Sequence, residues 1–424
     1  MKPGNKLEKF TRYQILVTSL LAILQFTIIL DFSIISPLGD MLMHGLAINP
    51  AEFGLLVSCY AFGAGSAGIV AAFFADKFDR KKLLLFFYGG FIVGTLLCGS
   101  VQTYYLLLSA RSITGIFGGV ISSISFAIVA DLFSLNQRGR VMGYIQMAFS
   151  GSQILGIPLG LVIASYWGWQ EIFIIIALFS SLIWLIIAVW INPLKNNENQ
   201  SVKSNSLVNF WHVLSNKNYW SGFCLVLCIS LGSAMLMPFN AIFLINNVNL
   251  TQQQLPVIYM STGIVMLIIM PFIGRLSDRF EKINIFVIAS MIAIIMTITF
   301  THLTPLPLIA VIIINIVMFV GIAGRMTPAM ALNTAIPAHK DKGSYLSLCS
   351  SLQNLSNGLA SVIAGLIIIQ PAKSAPILHF DSLGFVVAAF NAFSIYFIYR
   401  IHQTLKKQRS LSAFSDEAKA QEAF

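Results

Sequence analysis

Charge is what this chain has least of. Only 10% of its 424 residues are Asp, Glu, Lys or Arg, against roughly 25% in soluble domains. No polar stretch is long enough to form a separate soluble domain. The chemistry-bearing patterns are missing too: there is no Gly-rich phosphate loop ending in Lys, no His-Glu metal helix and no Ser/His/Asp set, which argues against an enzyme or an ATP-driven pump. Nothing resembles a channel filter of repeated carbonyls or charged rings. None of the six histidines, His44, His212, His302, His339, His379 and His402, falls in the middle of an apolar run. The five cysteines all lie inside such runs, so no disulfide framework is indicated. Cys224 and Cys228 stand one helical turn apart but lack the His or Met-rich partners of a soft-metal site. No metal or cofactor is expected.

What is there is apolar. Hydrophobic residues make up 57% of the chain and the mean hydropathy is +0.81. Runs of about 20 apolar residues, enough to cross roughly 30 Å of hydrocarbon as helix, recur along its length. The expected spans are 13–36, 52–74, 83–101, 104–130, 140–165, 171–192, 219–246, 254–274, 283–301, 306–330, 343–370 and 380–400. The fold class is therefore an all-α integral membrane protein of twelve transmembrane helices. Lys2, Lys6, Lys9 and Arg12 precede a long apolar stretch without a small-x-small cleavage site, which predicts a retained first helix. An even number of spans places both termini on one side. Of 26 Lys and Arg, only Arg111 and Arg325 fall inside spans away from their end residues and only Lys373 in a loop on the other side. The positive-inside bias then makes both termini cytoplasmic. The net charge of +10 has the same cause, and basic faces near anionic headgroups explain it better than nucleic acid.

The two halves look like copies. Residues 49–82 and 251–284 align at a shift of 202 without gaps, with Asp76 on Asp278 and Phe78 on Phe280. Repeats of this kind are typical of secondary transporters, in which two bundles rock about a site near the membrane midplane. The expected organisation is a six-helix bundle over 1–192, a linker over 193–218, a second bundle over 219–400 and a tail over 401–424. The linker opens on the Asn, Ser and Lys-rich PLKNNENQSVKSNSL and continues into LVNFWHVLSN, which reads as a short amphipathic helix at the inner interface.

Three segments carry a family resemblance. AAFFADKFDRKKLL (71–84), with GRLSDRFEK (274–282) as its counterpart, resembles the signature loop of the major facilitator superfamily. Asp76 takes the acidic position, Lys77 the next basic one, and Arg80 and Lys81 the later basic pair. The second half keeps Gly274, Asp278 and Arg279. Ala72 and Asp79 stand where the pattern has glycine, as does Glu281, which leaves the sharpness of the turn open. LLLSARSITGIFGG (106–119) resembles the fourth-helix pattern, with Arg111 and Gly115 in place. SGSQILGIPLG (150–160) resembles the fifth-helix pattern of drug antiporters through Gly156 and Gly160, with Pro158 one place late. The resemblance covers essentially the whole chain and points to the bacterial drug-and-metabolite efflux branch. It implies two pseudo-symmetric six-helix bundles, a monomer in the cytoplasmic membrane, a small-molecule substrate, and protons as coupling ion. It also implies a cytoplasmic gate: Asp131 paired with Arg80, Asp76 near the start of span 11 at Gly343, and Asp278 and Arg279 as second-half counterparts. The bland alternative for these charges is snorkelling at the headgroups.

One carboxylate has no place in an apolar run. LQFTIILDFSIISPL (24–38) holds Asp31, about 27 Å from the cytoplasmic end of span 1, and Arg111 lies about 28 Å from the same side on span 4. The two share a depth, and in the family helices 1, 4, 7 and 10 line the central cavity. An intramembrane charge is by default a functional-site hypothesis, with Arg111 the named partner. Burial works against the Asp31 charge and Arg111 works for it, so the pair suits proton exchange. A static structural pair and solvation at the outer interface remain as alternatives. Arg325, about 17 Å from the inner end of span 10, reads either as a contact to an anionic substrate group or as a ligand of backbone carbonyls in a broken helix. Candidate cavity residues are Gln25, Tyr60, Gln146, Gln153, Asn240, Gln353, Asn354 and Asn357, each polar in an apolar span, with helix-to-helix hydrogen bonding as the alternative. The leading function is proton-coupled efflux of a drug or polar metabolite. A coupled importer and a non-transporting membrane sensor are the other readings, and the short tail after Arg400 argues against the sensor.

Overall fold

The architecture comes from a computed structural model that describes residues 10–74, 78–192, 206–338, 341–372 and 374–422, without the side chains of 72–74, 135–136, 206–209, 278 and 407–422. In the first half the helices are α1 (Arg12–Ile34), α2 (Gly39–Leu46), α3 (Pro50–Phe74), α4 (Arg80–Ser100), α5 (Tyr104–Leu132), α6 (Leu135–Gly151), α7 (Ile157–Trp167) and α8 (Trp169–Trp190). A linker helix α9 (Ser206–Ser215) follows. The second half holds α10 (Trp220–Ala234), α11 (Asn240–Asn246), α12 (Leu255–Arg279), α13 (Lys282–Thr301), α14 (Leu308–Gly324), α15 (Met326–Asn333), α16 (Lys342–Ile367) and α17 (Phe380–Glu422).

Joined pairs make the count twelve crossings: α6 with α7, α10 with α11, and α14 with α15 each form one broken span. Among the described residues, eleven of these are long and apolar enough to cross a membrane by length and composition. The twelfth is α16, whose 26 residues reach about 39 Å but carry many Ser, Asn and Gln, and packing must compensate for that polarity. The only strand-like feature among the described residues is a single bridge between Ile369 and Leu378.

The helix starts are written locally. Thr11 and Gln14 exchange side-chain and backbone hydrogen bonds at α1, as do Asn49 and Glu52 at α3, so orphan N–H groups are satisfied before the chain enters hydrocarbon. Asp79, standing at a glycine position of the signature loop, caps α4 by accepting from the backbone N–H of Lys82 at 3.0 Å. Its φ is −59°, so that position requires no glycine. Pro158 has no N–H to offer the preceding turn, and the fifth crossing widens into a π turn at Ser152–Gly156 just before it.

Both halves close together on the side away from the termini, here the far side. Ile35, Leu38 and Leu42 share one core with Phe239, Ile242 and Leu255. Polar links cross the same seam: Asn246 Nδ2 donates to Asp40 Oδ1 at 2.9 Å, His44 Nε2 and Ser374 Oγ lie 2.8 Å apart, and Ser36 Oγ donates to the Met237 carbonyl. On the terminal side the cores separate. Val17, Leu21 and Phe87 belong to a first-half cluster, whereas Tyr219, Phe223 and Tyr345 belong to a second-half one. A further seam joins α3 to α16, where Gly54 meets Ser361 and Gly365, and Phe62 covers Gly358. The molecule is thus closed on the far side.

Candidate functional site

Asp31 and Arg111 meet. Arg111 Nη1 donates to Asp31 Oδ2 at 2.8 Å and to the Asp31 carbonyl at 3.3 Å, and both side chains are 0% exposed. Thr95 on α4 donates its hydroxyl to Asp31 Oδ1 at 3.2 Å. The guanidinium lies over the Tyr60 ring, 4.8 Å from its centroid, adding a cation–π contact. Four helices, α1, α3, α4 and α5, therefore supply one polar cluster inside the first bundle.

Glycines set the spacing. A Cβ on Gly115, one turn beyond Arg111, would lie 2.7 Å from Tyr60 Cα, so only glycine allows α3 and α5 to approach this closely. Gly156 and Gly160 press against Leu30 and Ile34 on either side of Asp31, where added Cβ atoms would fall 2.7 and 2.9 Å from those side chains. The fourth- and fifth-helix patterns thus hold the helices that hold the pair. Gly274 does otherwise: a Cβ there would meet nothing within 4 Å among the described atoms, so it serves no close helix packing in this conformation.

Arg325 lies elsewhere. It is 0% exposed at the break between α14 and α15, and its Nη1 donates to Asn391 Oδ1 on α17. The guanidinium points into the second bundle and does not join Asp31 and Arg111. The break is as anticipated, but the partner is a side-chain amide and not a backbone carbonyl.

The candidate cavity residues divide. Gln25 donates to Ser122 Oγ at 2.9 Å, a bond within the first bundle. Gln153 is buried in the π turn against Gly263 of α12, and Gln146 is exposed on α6. Asn240 is buried with its Oδ1 unbonded. Gln353 is exposed, and Asn354 and Asn357 are half-buried. With Ser347 and Ser350 they form one strip along α16 at three- and four-residue spacing. The neighbouring strip, Ser351, Leu355 and Gly358, meets α3, while Tyr345 and Cys349 meet the α10 side. Exposed Leu359 and Leu366 lie on the opposite face. The polar strip is thus a separate face of α16 made of neutral amides and hydroxyls.

On the terminal side Arg80 Nε stands 3.5 Å from Asp131 Oδ2. Lys81 instead donates to the Ala188 carbonyl at 2.7 Å, satisfying the end of α8. Arg279 is exposed; Asp76, Lys77 and the Asp278 side chain lie outside the described residues. Sequence reasoning missed a second-half cluster here. Asp341, 2% exposed, accepts from Tyr219 Oη at 2.8 Å and faces His212 Nδ1 of the linker helix at 3.7 Å, and Tyr345 Oη donates to Asn333 Oδ1 at 2.7 Å. Its members lie in separate elements, so no local pattern marks it. Thr95 was missed as well; a lone Thr in an apolar helix was its only signal.

Comparison with known proteins agrees with the architecture. Residues 21–361 and 223–419 match the description of the Major Facilitator Superfamily. The chain belongs to that superfamily. An MFS-type transporter of Bacillus subtilis, YbcL, is 30% identical over 40% of this chain, a stretch spanning 43% of that relative's length. Multidrug resistance protein 1 of the same organism is 24% identical over 81% of this chain and 87% of its own. A probable sugar efflux transporter of Helicobacter pylori is 26% identical over 42% of this chain and 45% of its own. Among solved structures, a bacterial homolog of the human lysosomal transporter Spinster, inward-facing and unoccupied, superposes with a TM-score of 0.75 at 16% identity, covering 94% of this chain and 99% of that one. A D-xylose–proton symporter gives 0.75 at 15%, covering 92% and 97%. These two likenesses show the fold alone. Within it, this chain is a multi-pass membrane transporter of the superfamily.

Proposed function

We propose that the protein is a proton-coupled exporter of a small polar or drug-like molecule, working by alternating access as a monomer in the cytoplasmic membrane with both termini inside. The observation that carries this reading is the fully buried Asp31–Arg111 pair. A carboxylate can gain and lose a proton and a guanidinium cannot, so the pair has one member that changes charge. Protonating Asp31 turns an ion pair into a neutral acid beside a stranded cation, which favours rearrangement of α1 against α5. Export is supported by the names of the multidrug and sugar efflux relatives. A polar substrate is supported by the neutral strip Ser347, Ser350, Gln353, Asn354 and Asn357 on α16, which lines the transport path in this reading. Asp131 with Arg80 serves as the gate on the terminal side.

The test uses inverted membrane vesicles holding an established proton gradient, with lumen pH recorded as lipophilic cations, nucleosides, sugars and organic anions are added in turn. Substrate-evoked proton release that disappears in Asp31→Asn is the expected result. Proton release that persists unchanged in Asp31→Asn would remove the coupling role.

A further inference from the structure

Arg325 has a chemical imbalance that its neighbours do not resolve. The guanidinium is 0% exposed, and it bonds one neutral acceptor, Asn391 Oδ1, through Nη1. Among the described residues, its Nε and Nη2 have no hydrogen-bond partner, and neither has Asn391 Nδ2. Nε and Nη2 together form the side edge of the guanidinium, where two parallel N–H bonds can grip one anion. Two guanidinium nitrogens and the amide nitrogen of its one bonded neighbour are therefore buried without acceptors beside a full positive charge. A buried cation without a counter-charge is strongly unfavourable even after relaxation, and more so in hydrocarbon.

Among the described residues, no carboxylate is bonded to the guanidinium. Between residues 282 and 338, and again between 382 and 415, the sequence contains no Asp or Glu, nor does it between 219 and 277. Around Arg325, therefore, the stretches of α10, α13, α14, α15 and α17 that pack together carry no acids; Asp278 and Asp381 lie at the ends of α12 and α17. On α10, Gly232 abuts Asn391: a Cβ there would lie 3.1 Å from Asn391 Cγ. On α13, Ala289 and Ala293 face Gly324 and Gly321, and Ser290 is buried with an unbonded hydroxyl. The side chains placed here by these contacts, Asn391, Ala289, Ala293 and Ser290, are all small and neutral.

We propose that Arg325 and Asn391 hold a small monovalent anion drawn from solution, gripped by Nε and Nη2 of Arg325 with Asn391 Nδ2 as a third donor. The anion balances the charge of the broken tenth crossing and fixes α14 and α15 to α17. Because the guanidinium is turned toward α17 and sealed from solvent, the site suits an ion of one to a few atoms and not the transported molecule. It is independent of the Asp31 reading, since it lies in the other bundle and requires no transport.

The test is thermal unfolding of the purified full chain in detergent, at constant ionic strength, with gluconate replaced stepwise by chloride or by formate. A saturable rise in Tm of a few degrees is expected in either small anion, of the size given by ligand excess over Kd. Asn391→Asp supplies the missing negative charge within the protein, so it should raise Tm in gluconate and abolish the response to chloride and formate. Arg325→Met should also lose the response. Identical Tm values of the unaltered protein in all three salts would overturn the proposal, as would an undiminished response in Asn391→Asp. Should that variant fail to fold, crystals of the unaltered protein in bromide decide: an anomalous peak at the Nε and Nη2 edge supports the site, and its absence at saturating bromide refutes it.

Discussion

Replacing Asp31 by Leu should be far more damaging than replacing both Asp31 and Arg111. The single change removes a 2.8 Å charge-assisted bond and the acceptor of the Thr95 hydroxyl, and leaves Arg111 charged at 0% exposure. Breaking one side of a buried pair costs about 3–5 kcal/mol. Arg111→Leu should cost less, about 1–3 kcal/mol, since the remaining carboxyl can take up a proton and stay bonded to Thr95. Asp31→Leu with Arg111→Leu leaves neither charge stranded and should cost about 0–2 kcal/mol. Unfolding followed by intrinsic fluorescence in detergent reads these differences. At about 2 °C per kcal/mol, Asp31→Leu should lower Tm by roughly 6 to 10 °C and the double change by under about 4 °C. The decisive quantity is the coupling between the two sites. Were the losses from the single changes simply to add in the double variant, the two charges would not sustain one another, and the pair would cease to be the element on which the function is argued.

Two further outcomes probe packing and the far-side closure. Gly115→Val should destabilise by about 1–3 kcal/mol or prevent insertion, because the added carbons overlap the Tyr60 backbone, whereas Gly274→Ala should be neutral or gain up to about 1 kcal/mol because its surroundings are open; unfolding of both variants side by side checks the contrast. Asn246→Asp sets a second carboxylate against Asp40, where the amide now donates at 2.9 Å, and like charges in such a contact cost several kcal/mol. Spin-label distances between the far-side ends of α2 and α11 should then lengthen, and an unchanged distribution would mean that this contact does not help hold the seam.

How much of this was legible in the sequence depends on whether a feature is longitudinal or azimuthal. Depth along a helix follows from residue count, so Asp31 and Arg111 could be placed at one level and are found in contact. Hydropathy likewise gave the crossings, with 343–370 read as one more apolar run, although α16 is the one crossing among the described residues that falls short by composition. Direction around a helix is another matter. Arg325 has the right depth for a central site, yet it turns toward Asn391 on α17, because its orientation is set by the break at Gly324 and by which neighbour offers an acceptor. The glycine positions of the signature loop show the same limit: Asp79 departs from the family pattern, and the departure is resolved by a cap to Lys82 that no pattern specifies. Asp341 with Tyr219 and His212 was invisible because its members come from three separate elements.

The position of Asp31 relative to the cores explains why a single proton could matter to the whole molecule. Leu30 and Ile34, which flank it, belong to the far-side core shared by both halves. Ile28 and Leu24, about one and two turns earlier, belong to the core confined to the first half. Asp31 thus sits where the helix passes from a shared interior to a private one. Gly156 and Gly160 touch α1 at Leu30 and Ile34, so a shift of α1 is felt at once by the fifth crossing, and through Gly263 against Gln153 and Ile154 by α12 of the other half. Densely packed interiors respond to such shifts by moving between discrete arrangements and do not deform continuously. On the proposed alternating-access cycle, a change of charge at this junction bears on the far-side seam, while the α3–α16 contact, built on small residues, persists as the surface on which the halves turn.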